Sequence, residues 1–190
     1  MGAEHEVTTW HLEMLSPSAL LPARAPAWEH RIERARRPSA AFARFLYSAV
    51  GGNWCWTDRL GWSKARWDAY LGREAVELYT LQLNGAPAGF AEFERQAEGN
   101  AQLIYFGLMP EAVGRGFGGW LLTQAVHCAW EAPGTQRVWV HTCTLDSPVA
   151  LGNYQARGFS LFRTETKSVP LVAAPGPWPG WDRDSEAPTS

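Results

Sequence analysis

Between Met109 and Leu122 the chain reads MPEAVGRGFGGWLL. An apolar run ends at Pro110, four glycines follow at Gly114, Gly116, Gly118 and Gly119, and an amphipathic run begins at once. A turn of this kind presents several backbone N–H groups with no side chain in front of them, at the positive end of a helix dipole. A strand that passes through it into a helix forms an anion cradle suited to a pyrophosphate, and Arg115 can add a charge. The spacing is not a Walker A loop, because no Gly-Lys-Ser/Thr follows. Gly114 to Gly119 does fit Gly-x-Gly-x-x-Gly. However, the preceding runs read as a hairpin, and no acidic residue closes a strand about 20 residues on, as a dinucleotide-binding unit requires. A glycine turn that holds no ligand remains the structural alternative.

The flanking pattern supplies the rest of the architecture. Glu77–Leu83 and Ala88–Arg95 read as strands, with Asn84-Gly85 between them as a hairpin turn. Ala101–Met109 is more apolar and is expected in mid-sheet. The helix after the glycine turn runs to about Glu131, with Phe117, Leu121, Ala125 and Cys128 on its buried face, and Pro133-Gly134 breaks it. Arg137–Leu145 is a further strand. Asp146-Ser147-Pro148 reads as a capped helix start, Gly158 ends that helix, and Phe159–Val169 is a last strand.

Upstream, Val7–Leu15 is a strand. Ser18–Pro38 is rich in Ala, Pro and Arg, and its Arg31, Arg34, Arg36 and Arg37 are expected on a solvated helix face, or alternatively in a phosphate-steering patch. A helix over Ser39–Val50 places Phe42, Phe45, Leu46, Ala49 and Val50 on one face, and Ser63 caps a short helix to Leu71. The order is α/β, with a mixed and mostly antiparallel sheet flanked by helices. Residues 1–169 form one domain. The tail 170–190 is dominated by Pro, Gly, Ala and Ser, and its Trp178 and Trp181 are expected to dock on the body.

Composition narrows the function classes. A length of 190 residues suits one domain with a full core. The 46% hydrophobic and 19% charged residues argue against disorder. Lys plus Arg number 17 and Asp plus Glu 19, so a net charge of −2 gives no general attraction to nucleic acid or anionic membrane. Cys55, Cys128 and Cys143 include no CxxC, so neither a disulfide framework nor a metal site is expected. No apolar stretch is long enough to span a bilayer and the start MGAEHEVTTW lacks a signal core, so the expected compartment is the cytoplasm.

Pro110-Glu111, followed by Val113-Gly114-Arg115-Gly116-Phe117-Gly118, resembles the Arg/Gln-x-x-Gly-x-Gly/Ala turn of the GNAT superfamily of acyl-CoA-dependent N-acetyltransferases. Val113 stands where Arg or Gln is usual. A second element, SPVALGNYQARGF, is similar to the Asn-x-x-Ala-x-x-x-Tyr-x-x-x-Gly-Phe helix of that family through Ala150, Tyr154, Gly158 and Phe159, with Ser147 in place of Asn. The resemblance covers roughly Glu77 to Phe162. It implies a GNAT-like sheet whose central strands splay apart. It also implies acetyl-CoA as co-substrate and transfer of acetyl directly to a primary amine.

The resemblance implies a cofactor cleft built from Leu108, Met109, Val113, Gly114, Arg115, Gly116, Phe117, Gly118 and Gly119, with Asn153 close by. It places Tyr154 as the acid that protonates the departing thiolate; the plain alternative is a packed helix tyrosine. The base is open. Glu92 shares a strand face with Phe90 and Glu94, and is either an edge charge in water or a site residue. His141 has a suitable pKa, or else is a satisfied core residue. Asp146 caps its helix or contacts the acceptor, and Cys143 is more simply an inert buried thiol.

The tryptophan-rich stretch NWCWTDRLGWSKARW falls where the family places its acceptor-side loop, within 39–71. Trp54, Trp56, Tyr47 and Asp58 are its candidate acceptor contacts, and filling of the core under a loop is the alternative. A compact aromatic pocket favours a small-molecule amine over a protein lysine or N-terminus. A non-catalytic acyl-CoA-binding regulatory module is the competing function, and a homodimer is possible.

Overall fold

A computed structural model describes residues 4–170 and 173–178. Seven strands form one sheet: β1 (Glu4–Met14), β2 (His30–Arg34), β3 (Val76–Leu83), β4 (Ala86–Arg95), β5 (Asn100–Leu108), β6 (Arg137–Cys143) and β7 (Ser160–Pro170). Four helices accompany them: α1 (Ala40–Gly51), α2 (Lys64–Leu71), α3 (Phe117–Glu131) and α4 (Ala150–Ala156). The strand order is β2-β3-β4-β5-β6-β1-β7. The expected mixed, mostly antiparallel sheet is present, with β5 at its centre. Among the described residues no helix is long and apolar enough to cross a membrane.

Local chemistry sets most boundaries. Ser39 and Ser63 accept from the N–H groups of Phe42 and Arg66, at 3.2 Å each, and so cap α1 and α2. Asn84 and Gly85 both take positive φ, 50° and 83°, which closes the β3–β4 hairpin with the twist its strands require.

Two layers of side chains cover the two sheet faces. On one, Leu12, Phe93, Leu103, Val138 and Val140 pack under Leu122, Ala125 and Val126 of α3 and Tyr154 of α4. On the other, Leu78, Phe90 and Met109 pack under Leu46 and Val50 of α1. Each fully buried Leu, Val, Phe or Met among them contributes about 1.5–3 kcal/mol relative to an exposed position.

The central pair, β5 and β6, is the parallel one. It is hydrogen-bonded only from Asn100–Leu103 to Arg137–Val140. Beyond that, β5 runs on to Leu108 and β6 to Cys143 without pairing to each other. On the other flank of β5 the register shifts between Glu92↔Tyr105 and Phe93↔Leu103, which leaves Ile104 as a bulge. A bulge bends and twists its strand. It falls where the two strands part.

Three expectations need correction. The arginine-rich stretch is not a helix face: Arg31 and Arg34 lie on edge strand β2, where they pair with Glu33 and Glu77. Phe45 is 49% exposed on α1, whose buried side is carried by Ala43, Leu46, Tyr47 and Val50. Finally, α4 starts at Ala150 rather than beside Asp146. Of the two tail tryptophans, Trp181 lies outside the described residues. The tail does reach the body, because Gly176 N–H donates to Gly52 C=O at 3.0 Å at the end of α1.

Candidate active site

The splay of β5 and β6 opens a cavity of about 890 Å³. Its walls are Leu103–Leu108 of β5 and Val140–Cys143 of β6. The glycine turn contributes Val113, Gly114, Gly118 and Gly119, and α4 contributes Asn153 and Tyr154. The α1–α2 loop closes one end with Trp54, Cys55, Trp56 and Asp58.

In the glycine turn, Gly114 and Gly116 have φ of 79° and 83°. A Cβ on either would meet nothing, so the left-handed backbone itself calls for glycine. Gly116 caps α3 without a side-chain hydrogen bond, which leaves the first-turn N–H groups open to an anion. These features fit a pyrophosphate. Phe117 is fully buried, so only its backbone is available to such a ligand; Met109, 8% exposed, does not line the cavity and packs instead with Leu46 and Val50 of α1. Arg115 sits to the side of the cavity, its guanidinium 5.7 Å from the Trp28 ring centre. Sequence reasoning missed a second cation: Arg157 Nη1 lies 2.5 Å from where a Cβ of Gly119 would stand. Its place depends on α4 packing against α3, which no local pattern reveals.

Tyr154 is 5% exposed and lies between the Phe106 and Phe159 rings, at 6.1 and 6.0 Å. Burial, and secondarily the charge of Asp146, push its hydroxyl far above the usual tyrosine range. It therefore keeps its proton near neutral pH. Burial likewise pushes the Cys143 thiol up, against thiolate character.

His141 lines the cavity from the other face of β6, with Gln102 Nε2 at 3.5 Å from its Nδ1 and the His11 ring at 5.9 Å. Crowding, and the neighbouring His11, hold its imidazole below the ordinary histidine value.

Asp146 does not cap α4. It turns back on β6 and accepts from Thr142 Oγ1 at 2.8 Å and from the Cys143 N–H at 3.0 Å. Its other oxygen accepts from Trp56 Nε1 at 3.5 Å, which ties the α1–α2 loop to the β6 side of the splay.

The four early tryptophans divide between core and cavity. Trp67 is 2% exposed in a cluster with Tyr47 and Trp62, whereas Trp54 and Trp56 line the cavity. Tyr47 is 1% exposed and stands behind the wall. Its hydroxyl donates to Asp58 Oδ1 at 2.7 Å and accepts from the Arg59 N–H at 3.3 Å. Tyr105 donates to Asp58 Oδ2 at 2.5 Å.

Glu92 is neither an edge charge nor a cavity residue. It is 2% exposed and does not line the cavity, and its oxygens meet Arg59 Nη1 at 2.9 and 3.2 Å and the Tyr70 hydroxyl at 2.7 Å. Burial raises its carboxyl above the ordinary value, against the pull of Arg59. Glu94, on the same strand face, pairs with Arg73. The Arg59 guanidinium is stacked on Tyr70, Tyr105 and Trp62, at 4.3, 4.4 and 4.7 Å.

A mixed sheet parted at its centre thus carries a glycine turn and a buried tyrosine on one cleft. The model of the Acetyltransferase (GNAT) family matches residues 31–159, and the chain belongs to that family. No curated protein matches the sequence. Among solved structures, a GCN5-related N-acetyltransferase from Kribbella flavida superposes with a TM-score of 0.61 at 18% identity, covering 83% of this chain and 55% of its own. A GCN5-related N-acetyltransferase from Sphaerobacter thermophilus gives 0.60 at 17%, covering 90% and 55%. The chain thus spans about half the length of these two proteins. An aminoglycoside acetyltransferase from an uncultured soil metagenomic sample, in complex with trehalose, gives 0.57 at 16%, covering 67% and 86%. At these identities the likeness is one of fold.

Proposed function

We propose that the protein transfers an acetyl group from acetyl-CoA directly to the primary amine of a small molecule. One observation carries the reading: the glycine turn, the parted strands and Tyr154 share a single cavity. That cavity is lined by two carboxylates, Asp58 and Asp146, and by no Lys or Arg among the described residues. Acetyl-CoA would supply an activated thioester carbonyl. The open N–H groups at the start of α3 hold the pyrophosphate, with Arg115 and Arg157 beside them. The backbone of β5 beyond Leu103 offers groups that β6 leaves unpaired, for pairing with the extended pantetheine arm.

Amide formation releases one proton to solvent and delivers one to sulfur. Tyr154 keeps its proton and stands in the cleft wall, so it serves as the donor. His141, neutral and lining the same cavity, and the two carboxylates are the groups able to take the proton of the ammonium. Glu92 is withdrawn from that role by its pairing with Arg59.

The aromatic end of the cavity, and the structural neighbour that acts on aminoglycosides, support a small acceptor over a protein. A protein lysine or N-terminus is the competing acceptor. A regulatory module that binds acyl-CoA without turnover is the second reading, favoured by Val113 in the turn and by the lack of a carboxylate on β5.

Thermal unfolding with acetyl-CoA, CoA, NAD and ATP side by side separates these possibilities. A ligand specific for the folded state raises the midpoint according to RT ln(1 + [L]/Kd). Selective stabilisation by acetyl-CoA and CoA, followed by thiol release with an amine panel, is the expected result. Stabilisation without turnover points to the regulatory module. No response to either CoA ligand overturns the proposal.

A further inference from the structure

We propose that Asp58, held between the hydroxyls of Tyr47 and Tyr105, receives the ammonium of a primary amine carried on a flat apolar body. This rests on the acetyltransferase reading and names its acceptor. Asp58 is the cavity-facing end of a relay that begins in the core. The Arg59 guanidinium is fixed by Glu92 and lies against Tyr105, while the Arg59 backbone N–H donates to Tyr47. Both tyrosines then donate to Asp58, one to each oxygen. Burial, followed by the hydrogen bond to Asp58, drives both hydroxyls above the usual tyrosine range, so both remain donors. A carboxylate has about four acceptor directions. Two are filled here, and Asp58 is exposed and lines the cavity.

The surroundings select the amine. Trp56 and Tyr105 stand 4.7 Å apart between ring centres, and Trp54 lies on the same wall. Ring faces attract a cation and bury a flat body. Asp146, the other lining carboxylate, is already engaged by Thr142, the Cys143 N–H and Trp56. A polyhydroxylated polycation would leave most of its polar groups unpaired against this wall, and such groups are costly to bury. One exposed carboxylate with acceptor capacity to spare, beside aromatic faces, suits an arylalkylamine.

The test is calorimetric titration of the CoA-saturated protein with 2-phenylethylamine and with 2-phenylethanol, its neutral analogue, in wild type and Asp58→Asn. Loss of a charged hydrogen bond weakens binding about tenfold or more. The expected result is that loss for the amine and an unchanged affinity for the alcohol. Retained stabilisation by acetyl-CoA shows that the variant is folded with its cleft intact. A variant that loses this stabilisation is replaced by Asp58→Glu, for which amine affinity must change while that for the alcohol does not.

Equal amine affinity in wild type and variant overturns the role of Asp58. Faster acetylation of kanamycin or spermidine than of 2-phenylethylamine by wild type overturns the acceptor class. Wild type that is stabilised by acetyl-CoA but neither binds nor acetylates 2-phenylethylamine overturns the inference and leaves the cofactor reading standing. Wild type that no CoA ligand stabilises removes the acetyltransferase reading itself.

Discussion

Arg59 Nη1 and the nearer oxygen of Glu92 meet at 2.9 Å with only 5% and 2% of their side chains exposed. The pair joins the α1–α2 loop to β4. Such a pair stabilises little against an apolar replacement of similar shape, but breaking it strands a charge. Glu92→Ala is expected to destabilise the protein by about 3–5 kcal/mol, read as a lower urea midpoint. A loss below about 1 kcal/mol, the scale of a surface ion pair, would show that water reaches the pair.

Tyr154 retains its proton because it is buried beside Asp146. Tyr154→Phe keeps the ring between Phe106 and Phe159 and removes only the hydroxyl. A decrease in kcat of about a hundredfold or more is expected, the scale of a lost general acid, with CoA affinity unchanged. Unaltered turnover would take Tyr154 out of the reaction.

Gly116 opens α3 in the left-handed region, φ 83°, with open space around it. Gly116→Val imposes strain rather than a clash, about 1–2 kcal/mol for an L-residue there. It also sets a side chain before the N–H groups of the turn. Weaker stabilisation by CoA in a thermal scan is expected, while a full response would place the phosphate site elsewhere.

Gly52 lies in right-handed helical geometry, φ −58°, so alanine suits its backbone. Its Cβ, however, would stand 2.3 Å from the Gly176 carbonyl carbon. Gly52→Ala is therefore expected to release the 173–178 segment while α1 persists. Faster proteinase K cleavage between Ala173 and Ala174, with an unchanged circular dichroism spectrum, is the readout. Identical cleavage would mean that the segment does not rest on α1 in solution.

His141 is an exposed residue on β6 rather than a core histidine, and partial desolvation by its neighbours, then the facing His11, holds its imidazole below the ordinary value. As pH falls, the unfolded chain takes up that proton first, so the unfolded state gains and stability declines. The contribution is present above about pH 6.5, the unfolded histidine value, and fades as pH falls through it. His141→Asn is expected to flatten the acid side of the stability profile between roughly pH 5 and 7. An unchanged slope would assign the acid sensitivity to other groups.

Much of the fold is legible in the sequence because its punctuation is local. Asn84-Gly85, the capping Ser39 and Ser63, and the glycines after Pro110 each act on their nearest neighbours. Strand β2 was hidden for the opposite reason. It is a short, charged edge strand, and what makes it a strand is β3, far along the chain. Phe45 shows the same limit, since helical spacing names a stripe but not which part of it meets a partner. In the cavity wall, the glycine turn is readable from spacing and the place of Tyr154 from the family resemblance. The Asp58–Tyr47–Tyr105 cluster, the Glu92–Arg59 pair and the turn of Asp146 toward Trp56 are not. Each joins residues brought together only by the sheet.

Most elements and the chemistry of the turn follow from local sequence, because backbone propensity, capping and glycine conformations depend on a few adjacent residues. Which of two acids faces the cavity depends on how the sheet and the α1–α2 loop come together. Glu92 and Asp58 are both carboxylates near aromatic residues, and nothing local separates them. The β4 register carries Glu92 under Arg59, where a buried charge must be paired, and the α1–α2 loop leaves Asp58 at the open end of the splay.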